Sequence, residues 1–273
     1  MTAPVPANPT RLVAVDMDGT FLTTQGEYDR ERFARLHEHL QDADIQFVVA
    51  SGNQHGALAK YFVDYPETMY IAENGALVGT TDKAIRTSSF PTEVSEEVIA
   101  QVAPLPNVLT LVCCESSAYV LRNTDPAFIN TLGRYYATIT LVDNWDEVDE
   151  PVLKFALNCY PEETPALMDA MRRDLPAGAV PTSSGHGSVD IIPSGVDKGT
   201  ALAWLGEELG ISSGEMVAFG DGGNDLEMLK LVGTGVAMAN APVPVKEIAD
   251  DITLSNNDQG VLNWLENYLE ITD

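Results

Sequence analysis

Residues 11–20, RLVAVDMDGT, read as a short buried strand that runs into a tight acidic turn. The apolar run that ends at Val15, followed at once by Asp16, Met17, Asp18 and Gly19, suits a strand covered on both faces and then broken by turn chemistry. The same grammar recurs along the chain. Ile45 to Ala50 runs into SGN, Met69 to Ala72 into ENGA, Met216 to Phe219 into GDGGND, and Val236 to Ala239 into NAP. Helical stretches lie between several of these runs, at Arg30 to Gln41, Gly56 to Phe62, Lys198 to Gly210, Asp225 to Leu231 and Val243 to Ala249. Repeated strand, polar turn and helix predict an α/β fold with a mostly parallel, Rossmann-like sheet covered on both faces. Ligands of such sheets bind beyond the carboxyl ends of the strands, where all of these polar turns fall.

Residues 85–190 have another texture. Alternating strands are predicted at Val108 to Cys113, Ala118 to Leu121 and Leu153 to Cys159, with helices near Val94 to Val102, Pro126 to Tyr136 and Glu163 to Leu175. This predicts an α/β module inserted after the third core strand. A core of residues 1–84 and 191–273 would then carry a cap of residues 85–190, which would set specificity. A chain of 273 residues is long enough for two unequal domains.

Composition narrows the function. No run approaches the roughly 18 uncharged apolar residues of a membrane span. The opening MTAPVPANPT has neither a basic nor an apolar signal region and reads as a flexible lead, which points to a cytoplasmic protein. Three cysteines, with Cys113 and Cys114 adjacent, suit a reducing compartment and neither a disulfide framework nor a zinc site. The histidines at 37, 39, 55 and 186 show no ligand spacing. A formal charge of −26 argues against nucleic acid as a partner. It equally requires that any site for an anionic ester supply its own positive charge, from a metal, a lysine and backbone N–H groups.

Four stations carry candidate chemistry. In DMDGT, Asp16 and Asp18 stand two apart at a strand end, where one carboxylate can attack and the other can move a proton. The competing reading is a calcium loop, but its sixth position would be Phe21 where a glycine is needed. GDGGND brings Asp221 and Asp225 with two glycines, and taken alone it reads more readily as a polar turn or helix cap than as a metal site. Clustered carboxylates of this kind need a cation among them, and hard oxygen donors suit Mg2+. Lys198 opens a helix whose free N–H groups would add to its charge. Ser51 and Gly52 end the second strand with a hydroxyl and an exposed amide.

In this order, the four stations resemble the motifs of the haloacid dehalogenase (HAD) superfamily of aspartyl-phosphate phosphatases. The late cap resembles its Cof-type, IIB-like branch, and the strings VVASGNQ, AENGALV, SAYV, LKFALN and GNDLEML resemble bacterial sugar-phosphate phosphatases within it. The resemblance implies Asp16 as nucleophile and Asp18 as general acid and base. It implies Mg2+ on Asp16, the Asp18 carbonyl and Asp221, and phosphate held by the Met17 backbone, Ser51, Gly52, Lys198 and Asn224. Asp225 would orient the lysine or the metal's water. Many relatives have a basic residue where this chain has Asn53, so no arginine role transfers to that position. Lys154, a cation in a strand of apolar neighbours, is a candidate cap contact beside the alternative of a surface salt bridge. The implied partner is a small phosphorylated metabolite, with a sugar phosphate foremost. Phosphoryl transfer to a second sugar hydroxyl, as in a mutase, and non-catalytic sensing of a sugar phosphate are the competing functions. Oligomeric state is not read from the sequence.

Overall fold

The computed structural model describes residues 9–185 and 187–271, so His186 and the first eight residues of the lead lie outside the described residues. The chain divides into two compact units. The first comprises Met1–Ser51, Glu67–Ile71 and Lys198–Asp273, and the second Gly52–Pro66 and Ala72–Asp197.

In the first unit the apolar runs become parallel strands in the order Asp251–Ile252, Thr234–Ala237, Met216–Gly220, Leu12–Val15, Gln46–Ala50, Met69–Ala72. Every residue of Leu12–Val15 is fully buried, as a strand covered on both faces requires. The chain builds outward from Leu12–Val15 first to one side and later to the other, so the strand order reverses at this strand. A crevice opens at such a switch point, at the carboxyl ends of the strands. Helix Arg30–Asp42 packs with Gly260–Tyr268, and Lys198–Leu209 with Leu226–Leu231. The predicted strands and helices of this unit are present to within a few residues. The edge strand Asp251–Ile252 and the last helix are additions.

The second unit is built on a six-stranded sheet in the order Ala179–Gly185, Ser188–Pro193, Val152–Asn158, Leu109–Cys114, Ala118–Leu121, Ile139–Val142. All its pairs are antiparallel except the last, which is parallel. Alternation divides its side chains between two faces. Phe155, Leu157, Val189 and Ile191 pack with Val98 and Val102 of helix Thr92–Val102 and with Leu167, Met168 and Met171 of helix Thr164–Asp174. Leu111, Cys113 and Ala156 pack on the opposite face with Leu132 and Tyr136. The predicted helix over 126–136 is shorter, Pro126–Thr131, and tightens into a 3₁₀ turn at Leu132–Arg134. A hairpin of Leu77–Thr80 with Ala84–Thr87, and the strands at 139–142, 179–185 and 188–193, were not among the predicted elements.

Candidate active site

The register of the two central strands places the first cluster. Val15 pairs with Phe219, and the Asp16 N–H donates to the Phe219 carbonyl at 3.0 Å, so Asp16 and Asp221 leave neighbouring parallel strands at the same carboxyl edge. After Asp16 the backbone closes tightly. The N–H groups of Thr20 and Leu22 donate to the Met17 carbonyl at 3.3 and 2.9 Å, and that of Phe21 donates to the Asp16 carbonyl at 3.1 Å. Gly19 holds φ +84°, and a Cβ there would stand 2.4 Å from Asp221 Oδ2. Glycine is therefore needed for both the turn and the close approach of the second acidic loop.

Lys198 joins the acids. Its side chain, at 0% exposure, donates from Nζ to Asp16 Oδ1 and to Asp225 Oδ1, each at 2.6 Å. Asp225 Oδ2 accepts the N–H groups of Asp221 and Gly222 at 3.0 and 2.8 Å, so this carboxylate both holds the lysine and shapes the GDGGND loop. Carboxylate oxygens of Asp16, Asp221 and Asp225 all lie within 4.8 Å of one another. Burial pushes the Asp16 carboxyl well above its usual range against the pull of Lys198, and the negative charges of Asp225 and Asp221 add to the rise. Burial by itself would lower the Lys198 ammonium, but its bonds to Asp16 and Asp225 outweigh that and raise it. A lysine held charged among three carboxylates leaves an excess of buried negative charge. All the donors are hard oxygens, and a small divalent cation fits both facts.

Of the other predicted residues, Asp18 is half-buried and bridges to Leu22. Met17 and Ser51 are buried, and the Ser51 N–H donates to the Ile71 carbonyl at 2.8 Å. Asn224 is buried in the 3₁₀ turn Gly223–Asp225. Gly52 and Lys154 belong to the second unit, where Lys154 is buried and paired with Glu73 and Asp190. Asn53 donates no charge, and its carbonyl accepts the Glu73 N–H at 3.1 Å.

Two residues that sequence reasoning missed hold Asp221. Thr20 Oγ1 donates to its Oδ1 at 2.9 Å. Asn240 Nδ2 donates to its Oδ2 at 3.3 Å and to the Gly19 carbonyl at 2.8 Å. Asn240 opens the NAP turn at the end of a parallel strand, which was the available signal.

Residues 13–265 match the family model of haloacid dehalogenase-like hydrolases. The chain is 37% identical over 261 residues to the 5-amino-6-(5-phospho-D-ribitylamino)uracil phosphatase YbjI of Escherichia coli (strain K12), covering 95% of this chain and 96% of that one. The crystal structure of SMU.1108c from Streptococcus mutans UA159 superposes with a TM-score of 0.90 at 34% identity, covering 96% of this chain and 99% of that one. The HAD subclass IIB sugar phosphatase BT4131 shares the fold, with a TM-score of 0.81 at 20% identity over 95% of this chain and 99% of that one. Among the described residues no helix is long and apolar enough to cross a membrane.

Proposed function

The chain belongs to the haloacid dehalogenase-like hydrolase family and is one of its phosphatases, and on that premise we propose that it is a Mg2+-dependent phosphomonoesterase of small sugar phosphates. The observation that carries the reading is the buried lysine between Asp16 and Asp225, with Asp221 alongside, at the carboxyl edge where the strand order reverses. Asp16, Asp221 and the Asp18 carbonyl would hold Mg2+, which would neutralise phosphoryl oxygens when bound.

The chain's own residues supply the rest. A carboxylate oxygen of Asp16 attacks phosphorus while Asp18 gives its proton to the ester oxygen, which leaves as the alcohol. The resulting aspartyl phosphate is hydrolysed when Asp18 takes a proton from water and the hydroxide attacks phosphorus, which returns Asp16 as a carboxylate and frees phosphate. Lys198 fixes the Asp16 carboxylate and offsets the charge that gathers on the phosphoryl group. Met17 N–H, Ser51, Gly52 N–H and Asn224 bind phosphoryl oxygens, and Asp225 orients Lys198. Residues 85–190 act as the cap that selects the ester. The phosphorylated ribityl chain in the name of the Escherichia coli relative's substrate supports an ester of a polyhydroxy carbon chain.

The test is phosphate release from hexose, pentose and nucleotide phosphates, with Mg2+ and with chelator. Release should require Mg2+ and should vanish in Asp16→Asn. Release that survives chelation would remove the metal from the mechanism. An Asp16→Asn enzyme retaining most of its turnover would remove the nucleophile.

A further inference from the structure

Lys154 lies on the strand face of the second unit that carries Ala156, opposite in register to Cys113 and 5.9 Å from the Tyr136 ring centroid. Asp190 pairs in register with Ala156 from the next strand and shares this face. The Lys154 side chain is 3% exposed, and Nζ lies 3.1 Å from Glu73 Oε2 and 3.2 Å from Asp190 Oδ2. It also donates to the Gly52 carbonyl. Asn74 Nδ2 donates to Asp190 Oδ2 at 2.5 Å.

Three features separate this cluster from an ordinary ion pair. Glu73, Asn74 and Gly75 have φ of +50°, +56° and +101°, so two successive non-glycine residues hold left-handed backbone. Each such residue costs on the order of 1–3 kcal/mol, and strain of this kind persists where the surrounding structure enforces it. Glu73 is buried, yet among the described residues its Oε1 has no hydrogen-bond partner. Finally, a Cβ on Gly52 would lie 3.2 Å from Asn74 Oδ1 and 3.4 Å from Asp190 Oδ2, so both side chains stand against the residue whose amide is assigned to phosphate.

We propose that Asp190 and Asn74 form a hydroxyl-recognition site for the leaving group beside Gly52, with Lys154 as the positioning residue that holds the Asp190 carboxylate and the Gly52 carbonyl. The proposal rests on the phosphatase reading above and deepens it by naming the residues that choose the ester. Among the described residues both side-chain contacts of Asp190 fall on Oδ2, which leaves Oδ1 to accept a further bond. Its side chain is 13% exposed, whereas those of Lys154 and Glu73 are 3% and 1% exposed. A carboxylate repels a phosphoryl dianion but accepts O–H donors well, and an amide both donates and accepts. The ligand groups that suit this pair are hydroxyls on the carbons next to the ester oxygen, as in a sugar or open-chain polyol phosphate.

The experiment compares kcat/KM for ribitol 5-phosphate with that for phenyl phosphate, in the Mg2+-loaded full chain. In Asp190→Asn the ratio should fall at least about tenfold, because a site built to bond hydroxyls loses its advantage over an analogue that lacks them. The fall should lie mainly in KM for the polyol ester. Lys154→Met should lower the ratio as well, and Lys154→Arg should restore part of it. Asn74→Gly tolerates the left-handed backbone and removes only the amide side chain, so it decides the matter if Asp190→Asn does not fold. A ratio within about twofold of wild type in these variants, whatever the absolute rates, overturns the proposal and leaves the cluster a structural tie. If the wild type releases phosphate from neither ester, the phosphatase reading has failed instead. The ratio of Kd values for the same two esters, by calorimetry on wild type and variants, then decides the recognition site on the same criterion.

Discussion

Lys198 in the first unit and Lys154 in the second are both buried between two carboxylates, and they are held in different ways. Lys198 meets Asp16 and Asp225 at 2.6 Å each, and the far oxygen of Asp225 is satisfied by two backbone N–H groups. Lys154 meets Glu73 and Asp190 at 3.1 and 3.2 Å, spends a donor on a backbone carbonyl, and faces a glutamate whose Oε1 has no hydrogen-bond partner among the described residues. A buried ion pair repays its desolvation only when the remaining lone pairs and protons are also satisfied. In the first cluster Asp225 meets that condition, while the negative charge left around Asp16 and Asp221 suits a cation and chemistry that needs fixed charges. The second keeps unused bonding capacity, which suits recognition.

The largest way to break the comparison is Lys198→Met. It leaves Asp16, Asp221 and Asp225 without their ammonium, and kcat/KM for phosphate release should fall by roughly 10²–10³, the scale of losing one preorganised electrostatic contact. A fall of less than about tenfold would make Lys198 a structural residue. Next comes the stability of the second cluster, read by urea unfolding. Lys154→Met should cost about 3–5 kcal/mol, because it strands buried carboxylates. Adding Glu73→Gln should recover about 1 kcal/mol or more, since the neutral amide no longer needs the ammonium. Costs that simply add would mean Glu73 and Lys154 do not depend on one another.

The two clusters were not equally readable from the sequence. Asp16, Ser51, Lys198 and Asp221 each stand beside an apolar run or a helix start, and local pattern alone assigns those ends to one edge of a parallel sheet. Of the partners of Lys154, Glu73 follows the apolar run Met69 to Ala72 and carries the same mark, but Asp190 does not. It sits inside SVDIIP, and only antiparallel register between strands distant in sequence brings it to the face of Lys154. The same limit hid the strand Ile139–Val142 and the hairpin strand Ala84–Thr87, each four residues long and largely unburied. The final helix is a different case. Val261, Leu262, Trp264 and Leu265 follow helical spacing and are buried, so its signal was present.

Titration sharpens the contrast within the second cluster. Burial raises the Glu73 carboxyl above its ordinary 4.5, against the pull of Lys154. Between 4.5 and the higher folded value, the native state holds a proton that the unfolded chain has lost, so stability falls as pH rises through that window. Glu73→Gln removes the group and this slope. Its stability relative to wild type should therefore be greater at pH 7.5 than at pH 4, measured by urea unfolding at the two pH values. An unchanged difference would show that Glu73 titrates alike in both states.

The smallest effect concerns the ring beside Lys154. Tyr136 is buried, its hydroxyl accepts from Cys113 Sγ at 3.8 Å, and its ring centroid lies 5.9 Å from the ammonium. If the aromatic face is what matters, Tyr136→Phe keeps it and gives up only a weak sulfur bond, at a cost below about 1 kcal/mol. Tyr136→Ala also opens a cavity between Leu132, Cys113 and Ala156, and should cost about 3–5 kcal/mol. The gap between the two, read from unfolding midpoints, separates packing from hydroxyl bonding. A Phe variant as unstable as the Ala variant would place the hydroxyl inside the network that fixes Lys154.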